Sequence, residues 1–156
     1  SVDVKFKRDW GMFGASWMDG TLTPEAPYAV GPETDRNAVA AYVRLFPNPW
    51  GFQAEWADGE MLGRDRDGYY VQGMYNVGPG TAFARWEEYT ANVAPGVVGV
   101  VDDDYDALHI GYAWKLDNAN QITVEYVDAD WTSGPVGAPV VMDDSYGGVQ
   151  WQYAFR

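Results

Sequence analysis

Seven side chains able to carry charge share one parity of the alternating segments in this chain: Arg44, Glu55, Arg85, Glu87, His109, Lys115 and Glu125. In extended backbone, residues two apart point to the same face, so these groups from neighbouring segments would confront one another around the single histidine. In a narrow enclosure they would pair into a hydrogen-bonded network that fills the interior. In a wider one they would line water and set a transverse field for permeating ions. His109 with Glu125 nearby could also act as a general base. That third reading lacks a partner, because no serine falls on an adjacent inward position, and a lone histidine among polar residues usually belongs to the network. No catalytic residue and no cofactor is expected.

Carboxylates gather between the alternating segments: Asp58 and Glu60; Asp65 and Asp67; Asp102, Asp103, Asp104 and Asp106; Asp128 and Asp130; Asp143 and Asp144. Their oxygens suit Ca²⁺ or Mg²⁺, but the 102–106 run lacks the glycine and distal glutamate of an EF-hand loop. Solvated loops that oppose aggregation are the expectation, with loose divalent-ion association as the alternative; no metal site is expected. There is no glycine-rich phosphate loop, zinc-ligand spacing or nucleophile elbow. A net charge of −13 and a pI near 4.1 exclude nucleic acid as a partner, since phosphates would be repelled.

The elements that must position these groups are strands. Apolar and polar residues alternate with period two near residues 2–18, 37–46, 50–60, 68–77, 80–90, 105–116, 120–131 and 145–155. No segment of comparable length has a helical period. The linking segments 46–50, 77–80 and 116–120 are tight turns built on Pro, Gly and Asn, whereas 19–36, 60–68, 91–104 and 132–144 read as longer acidic connections. Short and long connections thus alternate, the layout of an up-and-down barrel of the outer membrane with both termini at the short-turn end. The expectation is an all-β, antiparallel, up-and-down transmembrane β-barrel with about eight strands over residues 1–156, one domain.

Other features agree. Eight Trp and eleven Tyr in 156 residues accompany a mean hydropathy of only −0.35, as when aromatic residues are interspersed with polar ones. No stretch approaches the length of a membrane-spanning helix, and a spanning strand needs only about ten alternating residues. The absence of cysteine suits an oxidising compartment. The chain opens with no charged-then-apolar leader, so export implies a signal peptide already removed. In the first segment Val2, Val4 and Phe6 set one parity and Phe13, Ala15 and Trp17 the other. Either a β-bulge lies between Arg8 and Gly11, which the even strand counts of complete bacterial barrels favour, or those residues form a turn after an extra strand.

Sorting by apolarity places Val39 to Leu45, Trp50 to Trp56, Leu108 to Trp114, Ile122 to Tyr126 and Val149 to Phe155, each at alternate positions, on one face. Trp50, Tyr75, Trp114, Tyr153 and Phe155 fall at the turn ends of their segments, where a membrane-interface girdle requires amphipathic rings. A soluble lipocalin-type barrel shows the same alternation with the faces exchanged. Bulk favours the membrane version, because a small barrel cannot hold a large ring from nearly every strand.

Trp50-Gly-Phe-Gln-Ala-Glu-Trp56, Asp67-Gly-Tyr-Tyr-Val-Gln-Gly-Met-Tyr75 and Ala82-Phe-Ala-Arg-Trp-Glu-Glu-Tyr89, taken in order, resemble consecutive C-terminal strands of Gram-negative outer-membrane porins, most closely the phosphate-selective group. Leu108 to Asn120 followed by Ile122 to Tyr126 is similar to the penultimate hairpin of those porins, and Val149 to Phe155 to their closing strand. The resemblance covers residues 37 to the end and implies a sixteen-stranded, usually trimeric channel in the cell outer membrane. Its partners would be outer-membrane lipid, lipopolysaccharide and small polar solutes, with the acidic loops disfavouring anions. The chain is about half the length of such a porin and lacks its density of Arg and Lys, so phosphate selectivity is not carried over. The expectations are therefore a porin-like channel for passive diffusion, as a complete small barrel or half of a sixteen-stranded one, or a closed barrel with a structural or surface-interaction role.

Overall fold

Segments in which β-branched and aromatic residues alternate with polar ones favour extended backbone, because each face of the pleat can then meet a different environment. The computed structural model describes residues 1–22, 34–61, 64–92, 99–117 and 119–153. Nine strands run through them: β1 (Val2–Arg8), β2 (Gly11–Leu22), β3 (Thr34–Leu45), β4 (Trp50–Met61), β5 (Arg64–Val77), β6 (Gly80–Ala91), β7 (Val100–Lys115), β8 (Asn120–Pro135) and β9 (Val140–Tyr153). They form one sheet in sequence order, each strand antiparallel to the next. The fold is an all-β, antiparallel, up-and-down sheet. Among the described residues β1 and β9 are not paired, so the sheet is open at both margins.

The strand count corrects the expectation of eight. Arg8 pairs with Gly11 around a two-residue turn at Asp9 and Trp10, so the parity change there marks a hairpin and not a bulge. The reversal puts Phe6 opposite Phe13, with the rings stacked 4.8 Å apart. With nine strands the termini lie at opposite ends of the sheet, and β1 and β9 both run from the loop end to the turn end.

The turns at 9–10, 46–49, 78–79 and 116–119 share one end, and successive turns are tied by backbone bonds. Phe46 N donates to Trp10 O (3.0 Å), Asn76 N to Pro49 O (2.8 Å) and Lys115 N to Pro79 O (3.2 Å). At the other end the strict alternation of long and short fails. Met61 pairs with Arg64, so β4 and β5 extend over most of the expected 60–68 loop. The ladders of β7, β8 and β9 also reach into the expected 91–104 and 132–144 loops, because carboxylates alternating with Val, Thr and Trp still pair in a ladder where both faces are polar. β7 accommodates one extra residue between Val101 and Asp104.

The register sorts the side chains as alternation requires. Lys7, Met12, Arg44, Gln53, Gln72, Arg85, His109, Val127 and Tyr146 lie directly opposite one another in one row of the polar face. Every buried side chain among the described residues, Met74, Ala91, Ala107, Val127 and His109, belongs to this face. The large rings of the other face stay exposed, Trp50 at 72% and Trp151 at 69%. The sheet therefore curls around its polar side and turns its apolar side outward.

Two outcomes follow from the local geometry. A Cβ on Gly111 would fall on the edge of the Phe83 ring and 2.8 Å from Val124 O, so Gly111→Val is expected to cost about 1–3 kcal/mol by overpacking, read as a lower denaturant midpoint. In the 116–119 turn, Asp117 accepts backbone bonds from Ala119 N (2.7 Å) and Asn120 N (2.8 Å) and a side-chain bond from Asn120 Nδ2 (2.8 Å). These donors, the Ala119 amide first, hold its carboxyl below the ordinary carboxylate range. A depressed folded-state value gives a stabilisation that is complete above the unfolded aspartate range and is lost as pH falls through the folded value. Thermal unfolding of Asp117→Ala should lie below the parent near neutral pH and converge with it in acid; a gap independent of pH would exclude the carboxylate as its source.

Candidate functional site

The polar face concentrates its charges on β6, β7 and β8. Arg85 and Glu87 stand two residues apart on β6, and His109 on β7 lies directly opposite Arg85. Glu125 on β8 lies opposite Gly111. With no side chain at Gly111 in its path, the carboxylate reaches diagonally to the histidine, the second-neighbour contact available to long side chains in a sheet.

His109 is thereby held between two carboxylates: Nδ1 lies 2.8 Å from Glu125 Oε1 and Nε2 lies 3.0 Å from Glu87 Oε1. A neutral imidazole has one N–H to donate and the cationic ring two, so an acceptor awaits a proton on either nitrogen. Arg85 Nη2 sits beside the ring, 3.1 and 3.3 Å from its nitrogens. Arg85 Nε is 3.2 Å from Glu87 Oε2, an ion-pair distance at which the N–H is not aimed at the oxygen. Tyr105 adds a longer bond from its hydroxyl to Glu87 Oε1 at 3.4 Å.

A second group continues the network across β4 and β5. The Tyr70 hydroxyl donates to Glu55 Oε2 at 3.2 Å and accepts from Gln53 Nε2, and the Arg85 guanidinium stands 5.9 Å from the centre of the Tyr70 ring. The two hydrogen-bonded groups, on β4–β5 and on β6–β8, thus meet at the approach of Arg85 to the Tyr70 ring.

Of the expected inward set, Arg85, Glu87, His109 and Glu125 come together, and Glu55 joins them through Tyr70. Arg44 and Lys115 do not. Arg44 shares the row of Arg85 and His109 but stands on β3, three strands from Arg85, with its guanidinium 5.8 Å over the Phe46 ring, and its Nε is buried without a hydrogen-bond partner among the described residues. Lys115 is exposed at the turn end, opposite Gln121.

Tyr70 and Tyr105 escaped the sequence reading although they share the face of the charged set, because an aromatic ring on the polar side carries no distinctive spacing; Gln53 falls on that face by alternation. A third cluster was misplaced there. Arg64 Nη2 donates to Asp103 Oδ2 at 2.8 Å and to Ala91 O at 3.1 Å, and Ser133 Oγ donates to Asp103 Oδ1 at 2.5 Å. The expected solvated loop around Asp103 is instead the start of β7, where unbroken alternation from His109 leaves Asp103 opposite Ala91 on the polar face.

The aromatics expected at an interface cluster at the turn end of the apolar face. Trp50 lies opposite Tyr75 with ring centres 4.3 Å apart. Trp114 meets Tyr112 edge-on at 6.1 Å. Trp151, in the row of Trp114, donates its indole N–H to Asn120 Oδ1 at 3.2 Å. The backbone of Tyr153 pairs with Asn120, and Phe155 lies outside the described residues. At the loop end of the same face, Glu88, Asp106, Asp130 and Asp143 oppose one another in a single row. Asp130 and Asp143 are thus strand residues and not loop residues as expected. Among the described residues no group of three or more His, Cys, Asp or Glu side chains is placed to hold a metal ion.

Within this set, chemistry amounts to charge held on the concave polar face: both nitrogens of His109 are already engaged, by carboxylates. Replacing His109 by Leu strands Glu87 and Glu125 in a partly buried setting and is expected to cost about 1–3 kcal/mol. Glu125→Gln, which keeps an acceptor, should cost less; equal midpoints for His109→Leu and the parent in urea unfolding would refute the clamp. No protein-family model, curated protein or solved structure matches this chain.

Proposed function

We propose that this chain forms the wall of a β-barrel in the Gram-negative outer membrane and serves as a porin-like channel for passive diffusion of small hydrophilic solutes. The carrying observation is the path of the apolar surface across the sheet. On β1 the outward apolar residues are Val2, Val4 and Phe6; on β9 they are Val141 at the loop end and, beyond Asp143, Ser145 and Gly147 of the same face, Val149 and Trp151. The register row that starts at Val4 passes through Ala41, Trp56 and Tyr69 and ends at Asp143.

The apolar belt therefore slides about eight residues towards the turn end over eight strand-to-strand steps, about one residue per strand. With a rise of about 3.4 Å per residue and about 4.8 Å between strands, strands crossing a level belt would lean by about 35°, the tilt of outer-membrane barrels. The belt on β5, Tyr69 to Val77, would then be about 20 Å tall, near the ~25 Å of such barrels. A soluble sheet has no need of an apolar stripe at that slant.

The same slant accounts for the row of Glu88, Asp106, Asp130 and Asp143. Like charges directly opposite one another are unfavourable, but this row lies beyond the belt on β6 to β9, where water and lipid headgroups separate them. The interface rings Trp50, Tyr75, Trp114 and Trp151 would sit at the other edge. Backbone groups at open margins are not tolerated in lipid, so the barrel reading requires both margins to be paired in the membrane. Homo-oligomers, trimers for a full porin, are compatible with it.

A second reading has its own support: Arg85, Glu87, His109 and Glu125 engage one another at 2.8 to 3.3 Å, leaving only Arg85 Nε without a hydrogen-bond partner among them, as a plug would, which favours a structural barrel without conductance. Planar-bilayer recording separates the two, with ion-conducting steps for the channel and silence for the plug. Membrane insertion itself is checked by Val71→Lys, which places a charge within the belt and is expected to destabilise the lipid-folded protein by about 2–4 kcal/mol. A folded monomer in detergent-free buffer would refute both readings.

A further inference from the structure

The concave face holds two cavities, one towards the loop end of about 460 Å³ and one towards the turn end of about 350 Å³. The first is floored by small residues, among them Ala57 and Gly68. The second is bounded by Lys5 and Arg44 among others. Among the described residues only two line both, Glu55 and Tyr70. They lie opposite one another on β4 and β5, so the phenol and the carboxylate form the ridge between the cavities.

Tyr70 is not free to swing aside. Its hydroxyl is held between Gln53 and Glu55, and the Arg85 guanidinium stands over its ring, fixed in turn by Glu87. We infer that Tyr70 is the partition between two solute chambers on the inner wall, setting the size limit, while the Glu55 carboxylate that it holds sets the charge preference at the crossing. The inference rests on the channel reading. A solute following the wall passes from a loop-end chamber that Arg36, Arg66 and Glu87 also line, over an anionic, ring-capped ridge, into a chamber bounded by Asp3, Lys5 and Arg44. At such a ridge, size exclusion depends on the ring and ion preference on the carboxylate.

The test records single-channel conductance in KCl, and liposome swelling with neutral sugars of increasing size, for the parent, Tyr70→Ala and Tyr70→Phe. Heat-modifiable gel migration reports folding of each. Tyr70→Ala joins the chambers and is expected to raise conductance roughly twofold or more and to admit larger sugars. Tyr70→Phe keeps the ring but removes the hydroxyl that neutralises part of Glu55, so conductance should stay near parental while the reversal potential in a salt gradient shifts towards cations. A conducting parent with an unchanged Tyr70→Ala overturns the partition and leaves the channel reading standing. A silent parent with a conducting Tyr70→Ala supports the partition and overturns the channel reading. Silence in both overturns both. If Tyr70→Ala does not fold, Tyr70→Phe decides: an unshifted reversal potential overturns the inference.

Discussion

Everything in this sheet depends on register. Side chains alternate with period two, so a slip of one residue in any of the eight ladders would carry that strand's rings to the polar side and its charges to the apolar side. Tight turns and the bonds between successive turns, Phe46 to Trp10, Asn76 to Pro49 and Lys115 to Pro79, fix the alignment from one end. The one irregularity, in β7 between Val101 and Asp104, lies at the opposite end. Only Val100 and Val101 of β7 lie beyond it, so the change of parity carries no large ring to the polar side.

Correct register creates a second demand, because it gathers charge on the side that the curl encloses. Burying an unpaired charge is costly, and pairing it with good geometry largely offsets that cost. The arrangement around His109 meets the demand within three strands: two carboxylates, a guanidinium and an imidazole share contacts of 2.8 to 3.3 Å. Small residues make the room. Ala107, fully buried, stands opposite Glu87, and Gly111 stands opposite Glu125.

The legible part of the fold was what alternation and turn chemistry encode. The three Pro, Gly and Asn turns and the parity of Arg44, Glu55, Arg85, Glu87, His109, Lys115 and Glu125 could be read residue by residue. The Asp9-Trp10 hairpin could not be separated from a bulge, since both shift parity by one; only the partner of Phe6 decides between them. Strand ends at the loop side were hidden because Asp102 to Asp106 reads as solvated whether it continues a ladder or leaves it. Which of the seven charged residues meet was also beyond the sequence. Parity assigns a face, whereas neighbours within that face depend on strand order and on how each hairpin aligns: Arg44 shares the row of Arg85 but stands three strands away, and Lys115 lies at the turn end. The slant of the apolar belt exists only as a relation between strands and is invisible in any one of them.

The shared direction of β1 and β9 restricts how a ring can be completed. Apposing those two margins directly would join them in parallel, with evenly spaced, slanted hydrogen bonds unlike the perpendicular pairs elsewhere. A ring that is antiparallel throughout must instead interpose an odd number of strands between them. Odd membership thus leaves two kinds of closure, distinguishable by the hydrogen-bond spacing at a single junction.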